Sequence, residues 1–221
     1  MPFLPSLLEY SPQELESKLE LIRKDKEKFM EFQKSEVGKI HLHLDFVLPE
    51  FAISRSVEPG NLESKVFELL EQYFAEDQLY LSIHLMGLQN DLEFSFDFLL
   101  DKLSKYVFEY DWVGEIFVPK DYIEDFKTIE ECSNFKVGEW LDLGEWDSET
   151  KFEPDHNYLL MTVVAGKSGQ KLSDENKALT LEIAEQNPES SFTVDGGWNL
   201  ETQPKDNLQI VSYSSFWNNF G

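Results

Sequence analysis

The chain alternates two kinds of segment. In one, apolar and polar residues swap at every position, the period of a strand. In the other, apolar residues return every three or four positions, the period of a helix. The clearest strand pattern is Ile40–Val47, where Ile40, Leu42, Leu44 and Phe46 share one side and His41, His43 and Asp45 the other. Leu81, Ile83 and Leu85 likewise stand opposite Ser82, His84 and Met86. Strand-like runs are expected at residues 3–8, 40–47, 80–86, 113–118, 137–143, 158–164, 191–195 and 208–213. Between the early runs, Ser11-Pro12-Gln13-Glu14 forms a helix-start signature, a capping box with proline at the first helical position. Leu15, Leu19, Ile22 and Phe29 follow at helical spacing. Further helical patterns fall at residues 61–74, 92–106, 122–128 and 173–186.

Strands that alternate with helices predict a parallel sheet, and eight of them predict closure into a single α/β domain, a (β/α)8 TIM barrel over residues 1–221. No linker or repeat divides the chain. Two stretches depart from an ideal barrel. Residues 144–154 leave room for little helix, and the C-terminal helices are shortened, because the chain ends soon after its eighth strand. Phe216, Trp217 and Phe220 are expected either to plug the resulting gap in the wall or to be covered by a second subunit, so a homo-oligomer is expected.

The barrel changes the meaning of the polar strand faces. In an antiparallel sheet with one wet side, polar residues face water. In a barrel, helices cover the outer face, so the apolar side points out and His43, Asp45 and His84 point inward near the C-terminal strand ends, where barrel enzymes carry their sites. Asp195 ends another strand, opposite in phase to Phe192 and Val194. Gly196 and Gly197 follow it and permit a tight turn. Two imidazoles and two carboxylates at one barrel mouth would suit one divalent metal ion: zinc, iron or manganese. His41 lies one layer deeper and reads as a packed core histidine, whereas His156 sits in an acidic loop and is expected to face solvent.

Composition narrows the partners. A net charge of −24 repels phosphate backbones and anionic bilayers, so neither a nucleic acid nor a membrane is expected as a partner. Cys132 is the sole cysteine, which excludes an internal disulfide and suits a reducing compartment. The opening Met-Pro-Phe-Leu-Pro has no basic region, and no apolar run reaches about 18 residues. A cytoplasmic protein is therefore expected.

A family resemblance rests on motifs spread through the chain in order: Pro5-Ser6-Leu7-Leu8, His43-Leu44-Asp45, His84-Leu85-Met86, Met161-Thr162-Val163, Gly166-Lys167-Ser168-Gly169-Gln170, Val194-Asp195-Gly196-Gly197 and Asn199-Leu200-Glu201-Thr202. This set resembles the ribulose-phosphate 3-epimerase family of single-domain barrels. The resemblance implies that His43, Asp45, His84 and Asp195 bind a divalent metal, with Asp45 and Asp195 as the acid–base pair. It implies that Ser6, Met86 and Met161 line the substrate, and that Gly166, Lys167, Ser168, Gly169, Gly196, Gly197 and Ser214 lie where the family holds its sugar phosphate. The implied reaction is epimerisation at C3, interconverting D-ribulose 5-phosphate and D-xylulose 5-phosphate. A proton next to the carbonyl is removed and returned on the opposite face of an enediolate.

The chain also departs from the family pattern. After Asp45 it reads Phe46-Val47-Leu48-Pro49, without the family's next methionine. The loop after the sixth strand has Val164-Ala165 in place of asparagine-proline, and Tyr213-Ser214 stands where the family presents glycine-serine to phosphate. Tyrosine blocks the close backbone approach that glycine allows. Two other readings therefore stay open: an epimerase acting on a different ketose or ketose phosphate, or a ligand-binding barrel that has lost turnover along with its phosphate grip.

Overall fold

Period-two patterning needs cover on both faces when a sheet closes on itself, and the chain supplies it. In the computed structural model, eight strands form a closed, wholly parallel barrel in sequential order β1 to β8. The structure describes residues 3–7, 11–33, 38–55, 64–75, 78–87, 90, 104–130, 134–165, 169–199 and 206–220. The strands are β1 Phe3–Leu7, β2 Ile40–Val47, β3 Leu79–Met86, β4 Val113–Val118, β5 Lys136–Leu141, β6 Asn157–Met161, β7 Ser191–Asp195 and β8 Leu208–Ser212. All eight coincide with the runs expected from alternation, to within two residues at each end except for β6, which stops three residues short of its expected end. The helix pattern at residues 92–106 falls largely outside the described residues. Its last part continues as a π-helical turn, Lys105–Glu109.

The helices are α1 Pro12–Lys24, α2 Lys26–Gln33, α3 Pro49–Arg55, α4 Ser64–Tyr73, α5 Ile123–Glu130, α6 Asp174–Gln186 and α7 Ser214–Phe220. Ser11 caps α1: its Oγ accepts from the Glu14 backbone N–H at 3.3 Å and donates to Glu14 Oε2 at 2.8 Å. Asp25 leaves helical geometry and divides α1 from α2, so Leu15, Leu19, Ile22 and Phe29 reach the core from two helices. The outward faces of β2 and β3, carrying Leu42, Leu44, Leu81 and Ile83, are buried at 0–1% exposure in the main core beneath α1 and α4 residues. Full burial of each such side chain contributes roughly 1.5–3 kcal/mol.

The two irregular stretches resolve differently. Residues 144–154 form no helix, and Trp146 and Phe152 fill that side of the wall instead. At the C-terminus, α7 folds back over β1 and α2. Phe216 and Phe220 are buried against Phe29, with ring centroids 5.3 and 5.0 Å away, and the Trp217 indole donates to the Ser6 carbonyl at 2.9 Å. The chain's own residues thus plug the gap that a second subunit was one way of covering. Among the described residues, no helix is long and apolar enough to cross a membrane.

Candidate metal centre

Parallel register brings the polar strand faces together. Asp45 on β2 is paired with His84 on β3, His43 with Ser82, and Ser6 on β1 with His43. Asp195 ends β7, across the barrel from β2 and β3. One ligand atom from each of His43, Asp45, His84 and Asp195 lies within 4.8 Å of the other three. The first three side chains are buried, at 0%, 3% and 0% exposure.

Contacts within the cluster are short and polar. Ser6 Oγ donates to Asp45 Oδ2 at 2.6 Å. Asp45 Oδ1 lies 3.3 Å from His84 Nδ1 and 3.2 Å from His43 Nε2. The Nε2 atoms of both histidines are buried without a hydrogen-bond partner. Buried polar nitrogens are rarely left so. Two such nitrogens beside two carboxylates fit a divalent cation of the zinc, iron or manganese kind, because each ring offers a lone pair and each carboxylate a charge.

The two carboxylates are driven apart electrostatically. Burial disfavours a charge on Asp45. The charge of His43, joined by the charge and hydrogen bond of His84, outweighs it and holds the carboxyl well below the usual carboxylate range. Asp195 is pushed up to about 7, first by burial and then by the charge of Asp45. One acid is therefore ionised and the other tends to hold a proton, which is how paired carboxylates divide acid and base roles. Burial lowers the His84 pKa, whereas for His43 the charge of Asp45 overcomes burial and raises it.

Met86 and Met161 stand at the barrel mouth, both at 3% exposure. They pack with Val47, Phe51, Ala52, Phe117, Trp140, Leu159 and Ala165 in a second apolar cluster, separate from the main core. Phe51 and Ala52 come from α3, a helix that the alternation after Asp45 did not reveal. Phe51 faces Trp140 edge-on at 6.1 Å, and Trp140 faces His84 at 5.0 Å. The end of α3 is held by an ion pair, Arg55 Nη2 to Asp142 Oδ2, at 2.5 Å. Phe51 thus packs in the same cluster as the two methionines.

The remaining predicted residues are placed unevenly. Gly196 and Gly197 adopt φ of +110° and +72°, and a Cβ on Gly196 would meet Val163 Cγ2 at 2.3 Å. This turn is braced by Thr162, whose Oγ1 lies 2.9 Å from the Asp195 carbonyl and 2.7 Å from that of Gly196. Gly169 is exposed at φ +75°. Gly166, Lys167 and Ser168 lie outside the described residues, as does the side chain of Ser214, the first residue of α7. Tyr213 has the Lys18 ammonium 3.9 Å from its ring centre. His41 is a packed core residue, edge-on to Tyr80 at 4.5 Å. His156, expected to face solvent, is half-buried beside Tyr158, with ring centroids 4.9 Å apart.

Comparison with known proteins supports the fold and stops there. No protein-family model matches the chain, and no curated protein matches it. Among solved structures, a mutant tryptophan synthase alpha-subunit from the hyperthermophile Pyrococcus furiosus superposes with a TM-score of 0.52 at 13% identity. The match covers 95% of this chain and 86% of that one. The chain is a TIM barrel. At that identity the likeness carries the barrel and not the chemistry.

Proposed function

We propose that the protein is a metal-dependent sugar epimerase of the ribulose-phosphate 3-epimerase kind, inverting C3 of a ketose phosphate, D-ribulose 5-phosphate to D-xylulose 5-phosphate. The observation that carries this reading is the meeting of His43, Asp45, His84 and Asp195 at one point, with the proton affinities of the two carboxylates driven apart.

The roles follow from where the two carboxylates stand. Inversion beside a carbonyl needs one group to take a proton from one face of the carbon and another to give a proton to the opposite face. Asp45 is the acceptor in one direction and Asp195, across the barrel from it, the donor. In the reverse direction the roles exchange. Ser6 fixes the Asp45 carboxylate through its 2.6 Å bond. His43, Asp45, His84 and Asp195 would hold the cation. A divalent cation bound there supplies Lewis-acid stabilisation of the negative charge that develops on substrate oxygens, worth several kcal/mol. Met86 and Met161 offer walls that do not compete for protons.

The test is exchange of the C3 proton of ribulose 5-phosphate with deuterated water, on protein loaded in turn with zinc, iron or manganese. Exchange that disappears with chelator and returns with metal supports the reading. Bound metal without exchange on ribulose 5-phosphate or any other ketose would sink it. Two observations favour the other readings: Phe51 packs beside the two methionines, and Tyr213 replaces the expected glycine. Exchange confined to another ketose, or metal binding with no exchange, would then be the result.

A further inference from the structure

Tryptophan carries a large apolar ring and one N–H, and burying the ring leaves that N–H unpaid in water's place unless an acceptor meets it. Three tryptophans of the chain meet this demand. Trp146 donates to the Met161 carbonyl at 3.1 Å, Trp198 to Thr162 Oγ1 at 2.9 Å and Trp217 to the Ser6 carbonyl at 2.9 Å. Trp140 does not. It is 7% exposed, and its Nε1 has no hydrogen-bond partner among the described residues.

The surroundings of Trp140 show where an acceptor can come from. It is the next-to-last residue of β5, at the same end of the barrel as the metal cluster, and its ring faces that of His84 edge-on at 5.0 Å. The side chains packed with it, among them Met86, Leu159 and Met161, carry no oxygen, and a thioether accepts only weakly. Trp140 also lines a cavity of about 500 Å³ at the C-terminal ends of β4 and β5. That is room for a small molecule. Charges of both signs line it too, Lys120 and Lys151 as well as Asp121, Glu139 and Glu145, so the lining singles out neither an anion nor a cation. An indole N–H gives a hydrogen bond and cannot take one, so it is completed by a lone pair and not by an ammonium group. A neutral hydroxyl oxygen meets both conditions.

We propose that Trp140 is a substrate-binding residue: its indole N–H donates to a hydroxyl oxygen of the sugar chain, while the reacting end of the sugar lies at His43, Asp45, His84 and Asp195. The inference rests on the epimerase reading above and deepens it. A site built to bond a hydroxyl rejects a compound that lacks it, because the buried donor is then left unpaired. Trp140 therefore sets specificity for a hydroxylated chain, and it does so from a strand that contributes none of the four ligands.

The test follows the indole 1H–15N signals of the zinc-loaded protein as D-ribulose 5-phosphate is added, with the Trp140 signal assigned by its loss in Trp140→Phe. The Trp140 proton should move downfield, further than those of Trp146, Trp198 and Trp217, which already have acceptors. Inorganic phosphate alone should leave it in place; a shift with phosphate would put a phosphate oxygen there and overturn the assignment to a hydroxyl. Trp140→Phe should weaken binding of the sugar phosphate by roughly fivefold or more, the worth of one hydrogen bond. Its zinc uptake is read alongside, because the ring faces His84; if the variant loses zinc, the shift in the wild type decides alone. Bound sugar phosphate with an unmoved Trp140 signal, or a zinc-loaded variant that keeps wild-type affinity, overturns the proposal. Exchange of the C3 proton separates the two readings. Exchange with an unmoved Trp140 signal leaves the epimerase and removes this role. A moved signal without exchange removes the epimerase and keeps Trp140 as a sugar donor, and no binding of the sugar phosphate at all removes both.

Discussion

Acid should destabilise the folded protein through His41, and burial sets the size of the effect. His41 is 3% exposed. Its backbone N–H and carbonyl bond the Gln33 amide at 3.2 and 2.9 Å, and its Nε2 has no partner. Burial first, and the charge of His43 second, lower its pKa from 6.5 to about 3. Between those values the unfolded chain holds a proton that the folded chain refuses, so stability present above pH 6.5 is lost as pH falls. The slope approaches about 1.4 kcal/mol per unit well below pH 6.5, so the whole interval is worth several kcal/mol, and the step from pH 7.5 to 5.5, which spans the unfolded pKa, about 1.4 kcal/mol. Asp195 has the opposite sign. Its pKa, raised from 3.8 to about 7, lets the folded chain hold a proton that the unfolded chain releases, so stability rises as pH falls through that range. The His41 effect must therefore be read as a difference. Urea unfolding of metal-free wild-type protein and His41→Phe, at pH 7.5 and 5.5, isolates it. The variant's stability relative to wild type should improve by about 1.4 kcal/mol at the lower pH. A relative stability that does not change between the two would refute the argument.

Other outcomes follow from the same geometry. Asp45→Asn and Asp195→Asn should each lower epimerase turnover by at least about 10²-fold, and near-normal turnover in either would remove that residue from the acid–base pair. Phe51→Ala should loosen the packing beside the site and speed the stripping of bound zinc by chelator, because Phe51 packs on Trp140, whose ring leans on His84; an unchanged stripping rate would show that α3 does not control access. Gly196→Ala should destabilise the β7 turn by more than about 1 kcal/mol, since the residue sits at φ +110° and its new Cβ would run into Val163; a thermal midpoint equal to wild type would contradict this.

What was legible in the sequence follows from how each feature is encoded. Strands announce themselves at period two, and β2 does so almost without a fault, so its polar side, His43 and Asp45, could be assigned to the barrel interior before any coordinates. α3 could not: seven residues opened by Pro49 are too few to show a helical period. Trp140 looked like any apolar residue of an alternating run, although its ring leans on His84. Ligation and proton transfer need particular side chains, which a sequence displays. Access depends on one phenylalanine in one short helix, and phosphate binding on backbone N–H groups brought close by glycine. Every residue but proline has an N–H, so mainly the glycines betray such a grip, and Tyr213 in place of one, with Val164-Ala165 in the loop after the sixth strand, marks a change there. The reaction type is therefore the better-founded half of the functional reading, because it rests on side chains that meet. The substrate's anionic end is the half to be tested with a series of ketoses that do and do not carry phosphate.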